Sequence, residues 1–428
     1  MNAAPSLFEL IGLLIALSAL FGFLNTRFLR LPDVIGITAV GLLFSVLLLL
    51  AGGAVPELTA TAAALIEHID FPEVVFHGML SALLFAGSLH VNLANLRAER
   101  LPIIALATVG VLASTFLVGG IAYGLSSLAG VGLSPIHCLL FGALISPTDP
   151  IAVLGILKLV GASKKLESRI TGESLFNDGT GVVVFMVLLG LATGEGEASA
   201  GGILGMFALE AGGGILFGLA IGALALAMLR RIDSYAVEIM LTLAIVTAGY
   251  SLAESLHLSA PLYVVAAGLV IGNLGPGKAL SERTQAHLFP FWQLVDEILN
   301  LLLFGLIGLE LLALAFQPVH LIAGIVMVPM VLLARWISVG VPMRTMQRML
   351  PERDQAHTIS VMTWGGLRGG ISIALALSLP TGAEKELIVW ATYVVVLFSI
   401  LVQATTLAPL MRRLGLSNPA NATADGHP

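Results

Sequence analysis

Apolar runs of about 20 residues follow one another through almost the whole chain, and this is the length that an α-helix needs to cross a bilayer. Thirteen such runs can be marked, at about 6–24, 34–52, 74–92, 102–128, 134–160, 170–192, 202–229, 235–256, 260–274, 288–314, 318–342, 355–380 and 386–411. Charged residues make up 11% of the 428 residues, whereas soluble domains carry about 25%. The sequence therefore predicts an all-α polytopic membrane protein with about 13 transmembrane helices.

The charges between the runs predict an orientation. With the N-terminus outside, the inward turns carry Arg27, Arg30, Arg97, Arg100, Lys164, Lys165, Arg169, Arg230, Arg231, Lys278, Arg283, Arg344, Arg348, Arg353, Arg412 and Arg413. The outward turns hold Lys385 among the acids Glu57, Asp70, Glu195, Glu197, Glu384 and Glu386. This asymmetry follows the positive-inside rule. We therefore expect an external N-terminus and a short cytoplasmic tail over 413–428. The start, MNAAPSLFEL, lacks a basic region and a clear cleavage site, so we expect a retained first span rather than a signal peptide.

The composition also excludes several classes of site. No basic run is long enough to indicate a nucleic-acid partner. The single cysteine, Cys138, excludes an intrachain disulfide and a thiolate metal cluster. The partners that remain are the lipid bilayer and small ions.

Two of the runs carry helix breakers. The fifth contains SPTDP, in which Pro147 and Pro150 prevent an unbroken helix. The twelfth contains WGGLRGGIS, with glycines on both sides of Arg368. Interrupted segments at matching positions of two halves are the sequence sign of an inverted-repeat transporter. Runs one to six would pair with eight to thirteen, with the seventh as connector.

Polar residues inside the sixth run mark a candidate ion site. Asp178 follows Asn177 in TGESLFNDGTG, and Ser174 lies one helical turn before Asp178 on the same face. A carboxylate at membrane depth is costly to ionise, so this site suits competition between a proton and a cation. The alternative for Ser174 is a hydroxyl that only satisfies its neighbours between packed helices.

The break in the fifth run adds oxygen atoms to this site. Thr148 would offer a main-chain carbonyl, and the Asp149 carboxylate would balance the positive ends of the broken helices. Together with Ser174, Asn177 and Asp178 these residues form a set without soft ligands, which suits a hard monovalent cation. The alternative is a simple proline kink in which Asp149 is an N-cap.

Arg368 needs a negative partner if it lies in the membrane. Glu173 is the candidate, because it lies in the other interrupted half and is otherwise unpaired. A buried pair of this kind indicates a fixed support of the site rather than an ion ligand. Asp296 and Glu297 are expected to face an inner crevice or to pair near the interface.

The segments SPTDPIAVLGILK, GESLFNDGTGVVVF and TWGGLRGGISIALALSLP resemble the sodium/proton antiporters of the cation/proton antiporter superfamily, in its electroneutral branch. The segment WQLVDEILNLLLFGLIGLEL resembles the tenth helix of that family. The resemblance implies an inverted-repeat fold with two discontinuous helices that cross near the membrane centre. It also implies a homodimer in the prokaryotic inner membrane.

The resemblance assigns roles to the candidate residues. Asp178 would carry the cation or the proton, Asn177 would be its neighbour in the family's Asn-Asp pair, and Ser174 and Thr148 would complete the Na⁺ ligands. Asp149 would lie at the helix crossing, and Glu173 with Arg368 would form the supporting ion pair. Some prokaryotic members place an acid in the third span, where this chain has Ala86.

One titrating carboxylate sets the expected stoichiometry. The carrier would cross either as Asp178 with Na⁺ (or Li⁺) or as protonated Asp178, two forms of equal charge, so exchange would be electroneutral and one for one. No cofactor is expected. Residues 1–412 would form one transport unit, in which a core (about 102–192 and 318–411) moves against a dimerisation part (about 6–92 and 202–314).

Three alternatives remain open at this point. A K⁺/H⁺ antiporter is one, because nothing in the sequence sets the ion radius. A cation channel is the second, and it would pass current without proton coupling. An intramembrane hydrolase with Asp149 and Asp178 as its dyad is the third, although the proline-broken helix and the glycine-flanked Arg368 argue against it.

Overall fold

A computed structural model describes residues 6–52, 56–194, 200–346 and 355–417. In chain order, its main helices are Phe8–Leu29 (α1), Asp33–Ala51 (α2), Pro56–Glu67 (α3), Phe71–His90 (α4), Leu93–Ala98 (α5), Arg100–Ala129 (α6), Pro135–Leu144 (α7), Ile151–Val160 (α8), Lys164–Thr193 (α9), Gly205–Leu229 (α10), Tyr235–Ser255 (α11), Ala260–Leu274 (α12), Glu282–Leu309 (α13), Pro318–Met346 (α14), Gln355–Trp364 (α15), Gly370–Leu377 (α16) and Ala383–Arg413 (α17). The predicted all-α class is confirmed.

Nine of these helices are long and apolar enough to cross a membrane within the described ranges, namely α1, α2, α4, α6, α9, α10, α11, α14 and α17. Their exposed faces carry large apolar side chains such as Phe8, Phe116 and Leu216, as expected for contact with lipid. The count of thirteen spans stays a prediction, because several of the remaining helices are shorter. Of the charges used for orientation, Arg348, Arg353, Glu195 and Glu197 lie outside the described residues, as do tail residues 418–428.

Serine caps fix where several of these helices begin. The hydroxyls of Ser134, Ser163, Ser259 and Ser281 each accept a hydrogen bond from a first-turn N–H of α7, α9, α12 and α13, respectively. Such a cap satisfies one of the N–H groups that a helix start leaves free. The site-bearing helices α7 and α9 therefore have defined starting points.

Both predicted breaks are confirmed. The fifth run is two helices, α7 and α8, separated by residues 145–150. The twelfth run is likewise two helices, α15 and α16, separated by residues 365–369.

The helices pack in two groups with the long helix α9 between them. In one group, α12 packs on α10 and α4, and α13 packs on α2. In the other group, α6 packs on α7, and α14 packs on α17. Helix α9 contacts α7 and α6 on one side and α12 on the other. Asp178, halfway along α9, is therefore placed where the two groups meet.

Candidate ion-binding site

The two broken helices cross, and main-chain atoms of their breaks are in direct contact. The Asp149 amide donates a hydrogen bond to the Leu367 carbonyl, with N and O 2.9 Å apart. Arg368 Nη1 donates to the carbonyls of Ser146 and Pro147 at 2.5 and 2.8 Å. These carbonyls follow the C-terminal end of α7, where a helix leaves acceptors free and carries partial negative charge. Arg368 therefore stabilises a helix end.

Asp149 lies at the start of the next half-helix. Its Oδ1 accepts a hydrogen bond from the Ile151 amide at 2.9 Å, at the first residue of α8. Its Oδ2 lies against Gly369, where an added Cβ would be 2.2 Å away. The carboxylate thus faces the positive N-terminal ends of both α8 and α16. The bond to Ile151 resembles the N-cap that a simple proline kink would have. The contact with Gly369 goes beyond that alternative, because it brings the Asp149 carboxylate to the second break.

Asn177 and Ser174 attach α9 to the first break. Asn177 Oδ1 accepts from the Thr148 amide at 3.2 Å, and Asn177 Nδ2 donates to Thr148 Oγ1 at 2.8 Å. The hydroxyls of Thr148 and Ser174 are 3.0 Å apart. All three side chains are buried. Both polar atoms of Asn177 are used in holding Thr148, so its geometry is that of a clamp.

Asp178 borders a large cavity of about 720 Å³. The residue is 6% exposed, and the same cavity is lined by Thr148, Asp149 and Ala86. The cavity lining also includes exposed residues, among them Lys158, Gln293, Glu297 and Asn95. An ion can therefore reach Asp178 from one face of the molecule. Asp296 and Glu297 also line the cavity, in agreement with the expected inner crevice.

The predicted partner of Glu173 requires correction. Glu173 Oε1 accepts from Arg335 Nη1 at 2.5 Å, and both side chains are almost fully buried. The ion pair therefore joins α9 to α14, while the guanidinium of Arg368 is directed to the carbonyls of the first break. The physical reason is that the free carbonyls of a broken helix compete successfully for Arg368.

Arg335 and Gln403 are two site residues that the sequence interpretation missed. Arg335 Nη2 donates to the Met362 carbonyl at 3.4 Å, and Gln403 Nε2 donates to the Trp364 carbonyl at 2.8 Å. Both carbonyls lie in the last turn of α15, at the second break. A signal for Arg335 was available, because it is a lone base inside the apolar run 318–342.

Comparison with known proteins finds a matching family and similar proteins. The family model described as "Sodium/hydrogen exchanger, transmembrane" matches residues 13–413. The chain is 50% identical over 424 residues to the Na⁺/H⁺ antiporter NhaP of Pseudomonas aeruginosa, covering 98% of this chain and 100% of that protein. It is 33% identical over 397 residues to the Na⁺/H⁺ antiporter NhaH of Halobacillus aidingensis, covering 91% and 94% of the two chains.

A solved structure shares the fold. The sodium proton antiporter MjNhaP1 from Methanocaldococcus jannaschii at pH 8 matches with a TM-score of 0.73 and 19% identity, over 95% of this chain and 99% of that chain. The family model, the close relatives and the shared fold confirm the resemblance noted in the motifs, and the chain belongs to the sodium/hydrogen exchanger family of membrane transporters.

Proposed function

We propose that this protein exchanges Na⁺ or Li⁺ for H⁺ across the membrane, one for one, and that Asp178 binds either the cation or the proton. The observation that carries the proposal is the position of Asp178, a buried carboxylate at the inner wall of a cavity that opens to one face. The relatives named as Na⁺/H⁺ antiporters over nearly the full chain support the same choice of ions.

The oxygen atoms around Asp178 suit a small hard cation. Asp178 and Ser174 lie on one face of α9, and the Thr148 hydroxyl is next to Ser174. We propose Asp178, Ser174 and Thr148 as Na⁺ ligands, with Asn177 holding Thr148 in place. Asp149 would stay ionised, since its carboxylate lies at two positive helix ends.

The charges around the crossing support electroneutral exchange. In this proposal Glu173 and the half-buried Asp149 are both ionised, and they balance the positive charges of the buried Arg335 and Arg368. These four charges cancel, so the net charge of the site depends on Asp178 alone. With H⁺ or Na⁺ bound the site is neutral, whereas the empty site carries one negative charge that is costly to move through a membrane. The protein therefore does not change between its inward- and outward-open conformations unless H⁺ or Na⁺ is bound. This requirement couples the transport of one ion to the transport of the other.

Alternating access would move one group of helices against the other. The core would comprise about 102–192 and 318–411, and about 6–92 and 202–314 would form the scaffold of a homodimer. The cavity reaches Lys158 and Asn95, which lie near the turns that are rich in basic residues. With those turns cytoplasmic in a prokaryotic inner membrane, the conformation is open to the inside.

The test is proton flux in sealed proteoliposomes on addition of Na⁺, Li⁺ or K⁺, with the membrane potential clamped and unclamped. We expect Na⁺- or Li⁺-driven flux that does not change with potential. Asp178→Asn should abolish it, because an amide neither carries a proton nor balances a cation. Asp296→Asn is the matched control, since Asp296 lines the same cavity from α13, and it should retain exchange.

Other outcomes would contradict the proposal. Flux with K⁺ alone would indicate a K⁺/H⁺ antiporter. Cation current without proton coupling would indicate a channel. Normal exchange by the folded Asp178→Asn variant would show that the carrier carboxylate lies elsewhere.

A further inference from the structure

Ser372 lies in the first turn of α16, just after the second break. The residue is 1% exposed, and its hydroxyl has no hydrogen-bond partner among the described residues. A buried hydroxyl without a partner costs free energy, so such a group calls for an explanation. The hydroxyl is therefore free to bind a group other than the described residues.

The position of Ser372 indicates what that partner is. Several buried side chains of the described residues have an unpaired polar atom, and they are Ser18, Ser114, Glu238, Asn300, His320, Arg335, Thr363 and Ser372. Among them, Ser372 alone lines the cavity that contains Asp178 and Asp149. Ser372 therefore borders the space that a transported ion enters, with an oxygen that no other described residue uses.

The start of α16 is held close to the acidic residues. Gly369, immediately before α16, packs against the Asp149 carboxylate so closely that a Cβ would meet Oδ2 at 2.2 Å. Ser372 follows Gly369 by three residues, which is an advance of about 4.5 Å along a helix. Helix α16 also contacts α9, the helix that carries Asp178.

We propose that Ser372 Oγ is a further oxygen ligand of the transported cation, contributed by the second broken helix. This inference rests on the proposed exchange function and extends its site from one broken helix to both. A serine hydroxyl has two acceptor lone pairs and one donor hydrogen. It can direct a lone pair to Na⁺.

The first test is ²²Na⁺ uptake into proteoliposomes by Ser372→Ala. Loss of one oxygen ligand should raise the apparent KM for Na⁺ about three- to tenfold, with a maximal rate close to that of the original protein, and should change the ratio of the Li⁺ and Na⁺ KM values. Ser372→Thr keeps the hydroxyl and should restore the KM. Ser114→Ala is the matched control, because Ser114 is also buried and unpaired but does not line the cavity.

The second test measures binding without transport. Ser372→Cys replaces a hard oxygen by a soft sulfur atom, so the purified protein should bind ²⁰⁴Tl⁺ more tightly relative to Na⁺ than the original protein does. Ser372→Ala should bind ²⁰⁴Tl⁺ more weakly than either.

The outcomes separate the inference from the proposed function. Unchanged KM values in Ser372→Ala, or a change no larger than in Ser114→Ala, would overturn the role of Ser372 while Na⁺/H⁺ exchange stands. If the original protein shows no coupled flux, the proposed function fails. In that case the ²⁰⁴Tl⁺ binding measurement tests the role of Ser372 by itself. Equal Tl⁺ affinity of the original protein, Ser372→Cys and Ser372→Ala would overturn that role.

Discussion

Arg335 and Arg368 are both buried, but they bind different kinds of group. Arg335 pairs with the Glu173 carboxylate, whereas Arg368 binds two main-chain carbonyls. Removing Arg335 leaves a buried charge without its partner, which typically costs ~3–5 kcal/mol. Removing Arg368 leaves acceptors of a helix end unsatisfied, at about 1–3 kcal/mol each. The two arginines should therefore differ in how they couple to Glu173.

This difference predicts the result of a double-mutant cycle. Arg335→Met should lower the midpoint of thermal unfolding in detergent, and Glu173→Gln should restore part of the loss in the double variant, because the unpaired charge is removed. The cycle of Arg368→Met with Glu173→Gln is the control and should show a smaller coupling. Additive effects for Glu173 and Arg335, or stronger coupling with Arg368, would contradict the observed pairing.

The sequence marks the polar residues that the structure brings together, but it does not indicate the partner of Glu173. Acids and bases inside apolar runs stand out because membrane depth makes them costly. The choice between Arg335 and Arg368 depends on where helix α14 packs and on which carbonyls a broken helix frees. The unpaired state of Ser372 depends on the packing of α16 in the same way. Such contacts between distant parts of the chain have no local sequence signal.

At the scale of elements, the broken helices depend on close contact with α9. Gly181 faces Pro147, and an added Cβ there would be 2.4 Å from the proline Cγ. One helical turn before Gly181 is Asn177, whose side chain clamps Thr148. The absence of a side chain at Gly181 thus permits the distance at which the clamp forms.

Gly181→Ala should therefore weaken both stability and exchange. Overpacking of this kind costs about 1–3 kcal/mol, and separating α9 from the first break should also raise the KM for Na⁺. Gly190→Ala is the control on the same helix, because no atom lies within 4 Å of its added Cβ. It should be neutral or stabilising by up to about 1 kcal/mol. Equal effects of the two substitutions on unfolding and transport would show that the contact is unimportant.

The breaks themselves were readable from the sequence, since proline and clustered glycine interrupt helices by local chemistry. Their crossing was implied by the family resemblance alone. The bond between the Asp149 amide and the Leu367 carbonyl joins residues that are far apart in the chain. The pattern of breakers therefore predicts the elements but not the contact.

At the scale of the whole molecule, the cavity joins the ion site to exposed residues of the described chain. Gln293 lies exposed on the cavity wall, and Ser255 lies exposed at the end of α11. The charge asymmetry of the turns predicts that these two positions lie on opposite sides of the membrane. The orientation can therefore be tested with one residue on each side.

Labelling by a membrane-impermeant maleimide is the measurement. In a Cys138→Ala background, Gln293→Cys should react in inside-out vesicles and Ser255→Cys in right-side-out vesicles. The native Cys138 is 1% exposed, so it should not react with the maleimide in vesicles of either orientation. A change in the Gln293→Cys rate on addition of Na⁺ would support alternating access. Reaction of Gln293→Cys from the outside only would reverse the orientation.

The bond from the Asp149 amide to the Leu367 carbonyl has a further consequence. Asp149 belongs to neither half-helix, and its side chain borders a cavity open to solvent, so its amide hydrogen would ordinarily exchange quickly with deuterated water. If the two breaks stay joined while the protein alternates between conformations, this hydrogen exchanges only when the crossing itself opens. Mass spectrometry of deuterium uptake should find that this hydrogen exchanges as slowly as the amide hydrogens of a helix interior, both with and without Na⁺. The contact between the two breaks would then stay closed throughout the transport cycle.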